Sequence, residues 1–263
     1  MGASSRRKRA HSAVLETYPW CIYCGGDVAA TTIDHVPPRI MFRARIRPKG
    51  LEFPSCRQCN EGTGHADLVA AVIGRSYPDA KTGAEREELK SLFSSINNNI
   101  PDLLQEMHLG EAGQKLAREQ LSVPVGGGVL RVNGPLVSSH MQTFAIKMGF
   151  ALYYEVTKQA VPKGGGVAAR WFSNYERLEG KFPQSVFDHL LPPNTLRQGK
   201  FEVSDQFGYQ WRIAEKNRMG MFFAYFRQSF AVVAFVATDK SLLEADTRHP
   251  MRIFTPGEIT TLL

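Results

Sequence analysis

No apolar run in this sequence approaches the roughly 18 residues that a membrane-crossing helix needs. The most apolar stretch, AVVAFVA from Ala231 to Ala237, reads as a buried strand. Cysteine is scarce, four in 263 residues, and none lies outside the window from Cys21 to Cys59. The basic start, MGASSRRKRAHS, is not followed by the apolar stretch of a secretory signal. No internal repeat is visible. These absences argue against a membrane span, a disulfide-stapled scaffold and a repeat array. They lead us to expect a cytoplasmic protein with no membrane partner. Apolar content of 43% and charged content of 22% suit a chain that builds a core.

The charge that is present is unevenly spread. The net charge is +7, and residues 1–60 hold +6 of it, with ten Lys/Arg against four acids. Arg6, Arg7, Lys8 and Arg9 form a basic arm. Arg39, Arg43, Arg45, Arg47, Lys49 and Arg57 form a second group. Concentrated positive charge is the footprint of a polyanion binder, and a solubilising surface is the plainer reading. In FRARIRP, Phe42, Ala44 and Ile46 alternate with Arg43, Arg45 and Arg47. That alternation predicts a strand with one basic face. Such a face would meet successive phosphates, with weak sequence preference and strong salt dependence.

The cysteines form two pairs, Cys21-x2-Cys24 and Cys56-x2-Cys59. In a chain without a secretory signal, paired CxxC turns read as one tetrahedral site for structural Zn2+ rather than as disulfides. Gly25-Gly26 supplies the flexible backbone that the first turn needs. Free thiols or a redox pair are the alternatives.

Along the chain, residues 1–12 read as a flexible arm and 13–75 as a cysteine-framed unit of strand, strand and helix. Residues 76–123 read as helical, with Pro101-Asp102 restarting a helix. Residues 124–263 read as an α+β unit. VPVGGGVLRVNGP suggests a hairpin, Leu136 to Gln159 the longest helix with Ser138 or Ser139 as its cap, and the segments after PKGGG suggest strands. Trp171, Phe172, Tyr209, Trp211 and the aromatics of MFFAYF read mostly as core at strand spacing.

Between the cysteine pairs, TIDHVPPRI sets Asp34 and His35 side by side in a stretch that begins as a strand and is stopped by Pro37-Pro38. Asn60 directly follows the fourth cysteine. The order CxxC, Asp-His, CxxC-Asn resembles the HNH, or ββα-metal (His-Me finger), endonucleases. It is closest to the zinc-knuckled branch of the phage recombination endonuclease VII type. The resemblance covers roughly residues 18–75 of the chain. Many HNH motifs carry an Asn five residues before the third cysteine, where this chain has Leu51; the endonuclease VII-like pattern does not need it.

The resemblance implies a small zinc-stapled ββα-metal nuclease domain, followed by helices and a C-terminal α+β domain. It implies a metal-dependent endonuclease that hydrolyses DNA phosphodiester bonds, by nicking or by double-strand cutting. His35 would be the general base, since a neutral imidazole can take a proton from water near pH 7. Asp34 and Asn60, with His65 from the helix start, would hold a catalytic Mg2+ or Mn2+. A distorted strand end, enforced by Pro37-Pro38, would bring Asp34 and His35 to that one metal. One site per chain implies nicking by a monomer and double-strand cuts by a homodimer or by paired nicks. Stand-alone proteins of this kind serve in restriction, recombination, mobile elements or bacterial anti-phage defence. In the last setting the C-terminal domain would meet protein partners of the defence system.

Each residue also has a plainer role. Asp34 caps a turn, His35 is a core histidine, Asn60 closes a cysteine turn, and His65 or Asp67 caps a helix. Their joint occurrence in a four-cysteine frame favours the nuclease. The alternative is a non-catalytic zinc-knuckle module that binds nucleic acid or a protein. It accounts for the cysteines and the charge, but gives no task to Asp34, His35 and Asn60.

Overall fold

The computed structural model describes residues 11–77, 82–121, 128–193, 195–214, 218–244 and 251–261. The arginines of the basic arm, and residues 122–127 of the expected hairpin, lie outside the described residues. Residues 11–17 are helical (α1), and a 3-10 turn at Ile22–Cys24 follows. β1 (Thr32–His35) pairs antiparallel with β2 (Glu52–Ser55), and α2 (Arg57–Gly62) and α3 (Gly64–Ser76) come next. The helical middle comprises α4 (Gly83–Asn99), α5 (Leu103–Met107) and α6 (Glu111–Leu121). Then come α7 (Pro135–Thr157), β3 (Gly166–Ser173) and α8 (Asn174–Leu178). The chain continues with β4 (Arg197–Gln198), β5 (Phe201–Glu202), β6 (Phe207–Ala214) and β7 (Met219–Phe226). It closes with β8 (Phe230–Ala237), α9 (Ser241–Glu244) and β9 (Ile253–Phe254).

Local chemistry sets the helix ends. Thr82 and Glu85 exchange side-chain and backbone hydrogen bonds in a capping box that starts α4. Pro135 at the first turn starts α7, with Gly134 rather than a serine in the cap position. Lys158, at φ 56°, ends it.

Five strands form one antiparallel sheet in the order β6-β7-β8-β3-β9. α7 lies across one face. At Gly149 a Cβ would come within 2.6 Å of Val167 Cγ1, so helix and sheet approach at a point that only glycine permits. The other face carries a smaller cluster of Phe172, Phe182, Val186, Phe223 and Val233. On its far side α7 packs on α3 and on the first cysteine turn. One buried apolar cluster therefore runs from Cys21 through Phe53, Val69, Phe144 and Val236 to Ile259. The architecture is mixed α+β, and the cysteine-framed unit shares its core with the sheet. Among the described residues, no helix is long and apolar enough to cross a membrane.

The expected basic strand is not formed. FRARIRP contains a 3-10 turn at Arg43–Arg45 instead, with Ala44 and Arg45 at φ 50° and 55°. Acidic partners explain part of this. Arg43 pairs with Asp205, Glu85 also lies within 3.6 Å of it, and Gln206 accepts from its backbone N–H. Residues from the helical middle and the C-terminal half thus hold a segment that local alternation assigns to a strand. Residues 128–134 of the expected hairpin form no strand.

A four-cysteine cluster and two faces of one strand

The two CxxC turns meet. The four sulfurs of Cys21, Cys24, Cys56 and Cys59 all lie within 4.8 Å of one another. Cys24 Sγ is 3.5 Å from Cys59 Sγ and 3.9 Å from Cys56 Sγ. Tetrahedral Zn2+ with bonds of about 2.3 Å would set sulfurs about 3.8 Å apart. The donor set and its spacing could therefore hold a metal such as zinc. Gly25, at φ 69°, closes the first turn in the left-handed region. The second is the N-terminus of α2, where the Cys59 N–H donates to Cys56 Sγ. Crowding separates the acidities of the thiols. Hydrogen bonds from Cys24 and Cys59 hold Cys21 far below its ordinary value, while the bonds with Cys21 and Cys24 and burial push Cys59 up. A dication removes that conflict by stabilising several thiolates at once.

The cluster braces the β1–β2 hairpin. The register is regular: Thr32 opposes Ser55, Ile33 opposes Pro54, Asp34 opposes Phe53 and His35 opposes Glu52. Adjacent residues of a regular strand point to opposite faces. Asp34 and His35 consequently part company, and the strand end expected to bring both to one metal is not distorted in that way.

Asp34 turns inward and is 3% exposed. Its Oδ2 accepts from Tyr23 Oη at 2.8 Å and lies 2.9 Å from Lys147 Nζ. Lys147, on α7, has no solvent exposure and also donates to Asp67 Oδ2 of α3 at 2.8 Å. One ammonium thus joins the hairpin, α3 and α7. Burial alone would pull the Lys147 ammonium down, but Asp34 and Asp67 outweigh it and hold it above its ordinary value. Burial pushes Asp67 up to about 7 despite the Lys147 charge, and its Oδ1 is buried without a partner. Burial and the Asp34 charge push Tyr23 well above the usual phenol range.

His35 turns the other way, with 21% of its side chain exposed. Arg47 Nη1 donates to its Nδ1 at 3.3 Å and to Glu52 Oε1 at 3.1 Å. Arg47 is itself 6% exposed, and its Nη2 donates to the carbonyls of Gly50 and Leu51. Burial first, then the charges of Arg47 and Arg39, lower His35 to about 4, with Glu52 opposing. The imidazole is therefore neutral at physiological pH. The guanidinium of half-buried Arg39 has no hydrogen-bond or ion-pair partner among the described residues.

The remaining expected site residues lie on α2, α3 and the loop before β2. Asn60, on α2, clips the helix to the hairpin: its Nδ2 donates to Thr32 Oγ1 at 3.0 Å and to the Ile33 carbonyl at 3.4 Å. His65 is exposed at the start of α3, its ring 6.3 Å from that of His140. Arg45, Lys49 and Arg57 are exposed, Arg57 lying 3.5 Å from Glu61 one helical turn on. Asp34 is buried against Tyr23 and Lys147, whereas His65 is exposed. The Asp34 oxygen expected to bind Mg2+ already receives two donors. Among the described residues, the four cysteines are the one group of three or more His, Cys, Asp or Glu side chains gathered closely enough to hold a metal.

No protein-family model, curated protein or solved structure matches this chain.

Lys147, Tyr23 and Glu52 were not among the residues singled out in the sequence. A signal for Lys147 was available: it is the only Lys, Arg, Asp or Glu from Pro135 to Tyr154, in the most apolar part of the longest helix. A lone charge in a buried stripe demands a partner.

Proposed function

We propose that this chain is an HNH-type endonuclease acting on DNA phosphodiester bonds, with Zn2+ in the four-cysteine cluster and His35 as general base. One observation carries the reading. A neutral, partly exposed imidazole stands at the end of the cysteine-braced hairpin, against the Arg47 guanidinium and within the electrostatic reach of Arg39.

In the proposed reaction a backbone phosphate enters beside Arg39 and Arg47. The contact from Arg47 to His35 Nδ1 is the longer branch of a shared donor. The phosphate can draw that branch away while the Glu52 pair persists. Nδ1 then takes a proton from water, the oxygen of that water bonds to phosphorus, and the bond to the 3′ oxygen breaks, that oxygen taking a proton from solvent to leave as a hydroxyl. The two guanidinium groups offset the charge that grows on the phosphoryl oxygens. Exposed Arg45, Lys49 and Arg57 are available to flanking phosphates. Asp34 Oδ2 is held by Tyr23 and Lys147, so a catalytic Mg2+ would need a ligand set other than the expected Asp34, Asn60 and His65.

The non-catalytic binding module is the second reading. It is favoured by the engagement of Asp34 with Lys147 and by the guanidinium that covers His35 Nδ1. Supercoiled plasmid separates the two readings. Wild type and His35→Ala are incubated with Mg2+, Mn2+ or EDTA, with zinc content and DNA binding measured in parallel. Open-circle or linear product that disappears in His35→Ala, with zinc and binding retained, is the expected result. Equal cutting by both proteins, or none by a zinc-loaded wild type that binds DNA, would overturn the proposal.

A further inference from the structure

A cleft of about 1340 Å³ lies where the N-terminal half of α7, the end of α3 and the edge of β3 meet. It shares no lining residue with the hairpin end that carries His35. A typical ligand pocket is about 300–1,000 Å³, so this one is roomy enough for more than a mononucleotide. Its walls combine two kinds of group. Trp171, Tyr77 and Tyr175 bring aromatic rings, and Tyr77 and Tyr175 remain 46% and 41% exposed. Arg131, Arg170 and Arg252 bring exposed cations.

The charge balance is one-sided. Among the described residues, the only acid in the lining is Glu176, and it is already committed to the Ser173 N–H, the Ser173 hydroxyl and Arg170. Arg131 donates to neutral Asn133, and Arg252 lies over the Phe254 ring. Neither has an acidic partner among the described residues. The β3 edge adds a backbone donor. β9 covers only Val167 and Ala168. Beyond it, Gln142 takes the Ala169 carbonyl and Glu176 takes the Ser173 N–H. The Trp171 peptide group lies between them on the same side of the strand. Among the described residues it has no hydrogen-bond partner on that edge.

We propose that this cleft binds a nucleotide-class ligand, its bases stacked on the exposed aromatic rings and its phosphates paired with Arg131 and Arg252. Base–aromatic stacking and phosphate–guanidinium pairing are the two interactions such a ligand offers. An extended peptide fits less well, because β-strand addition needs a row of open edge groups and, among the described residues, only the Trp171 peptide of the β3 edge is open. The same chemistry has two sources: a free dinucleotide, or two nucleotides of a single strand. The site is independent of the nuclease reading.

The test is equilibrium binding of the full chain to AMP, to ApA and to a short oligothymidylate, read by titration calorimetry. We expect saturable binding of ApA or the oligonucleotide. It should weaken by about tenfold or more in Arg131→Glu/Arg252→Glu, which removes two charge-assisted contacts at exposed positions. Trp171→Phe should retain part of the binding that Trp171→Ala loses. Tighter binding of ApA identifies a diffusible ligand, and tighter binding of the oligonucleotide a single-strand track. No saturable binding of any of the three probes by folded wild type, or binding that the arginine double variant leaves unchanged, would overturn the proposal. So would preference for an acidic peptide over every nucleotide.

Discussion

Asp34 and His35 are neighbours in sequence and opposites in environment. Asp34 faces a closed interior in which Tyr23 and Lys147 bond its Oδ2 and Lys147 also bonds Asp67. His35 faces a half-open surface where burial and two guanidinium groups keep it neutral. A single step of strand pleat turns a chemically capable dipeptide into one structural residue and one residue available for chemistry. In a regular strand, two adjacent polar side chains cannot serve one site unless the backbone departs from the pleat.

The comparison breaks most sharply at Lys147. Lys147→Met leaves two carboxylates buried without a cation. It should cost about 3–5 kcal/mol, read as a lower urea midpoint with zinc still bound. Adding Asp34→Asn and Asp67→Asn should recover most of that loss, because the interior then holds no uncompensated charge. On the other face, His35→Ala should change stability far less. In the proposed reaction it should lower plasmid cutting by about 10²–10⁴-fold, the usual contribution of a general base.

Acidity sharpens the contrast, because the two faces respond with opposite sign. His35 is held at about 4 against an ordinary 6.5. Its contribution is present above 6.5 and is lost as pH falls towards 4, about 3 kcal/mol. Asp67 is raised to about 7 from 3.8. Its contribution is present below 3.8 and is lost as pH rises through 7. His35→Gln should remove the loss of stability on acidification, and Asp67→Asn should remove the opposing slope. Urea midpoints at several pH values between 4 and 7.5 check both. The smallest effect is expected at Arg57, which is exposed. Arg57→Ala should alter stability by no more than about 0.5 kcal/mol and should reduce the salt dependence of DNA binding only slightly.

Much of this arrangement was legible in the residues. Two CxxC pairs with no cysteine left over indicated one cluster, because each pair puts two sulfurs on one tight turn. Pro37 and Pro38 marked the end of β1, and the long apolar stretch after Pro135 marked α7. The partners were harder to read. Nothing local to Asp34 says that a lysine more than 100 residues away will meet it, since that contact exists only once α7 packs against α3 and the first cysteine turn. FRARIRP misled for a related reason. Its alternation suits a strand, but Asp205 and Glu85 hold Arg43, and Arg47 is drawn into the loop before β2 to bond the carbonyls of Gly50 and Leu51. Short-range periodicity loses to long-range ion pairs and backbone satisfaction in a segment this short.

The central claim is that Asp34 holds the fold while the chemistry belongs to the face carrying His35. The most direct test is the plasmid-cutting rate of Asp34→Asn/Asp67→Asn/Lys147→Met, which removes both buried carboxylates and the ammonium they share and leaves Tyr23 an amide oxygen to bond. The account predicts a zinc-loaded protein that cuts at a rate near wild type. Abolished cutting in a protein that keeps its zinc and its melting behaviour would contradict it, and would return Asp34 to the reacting centre.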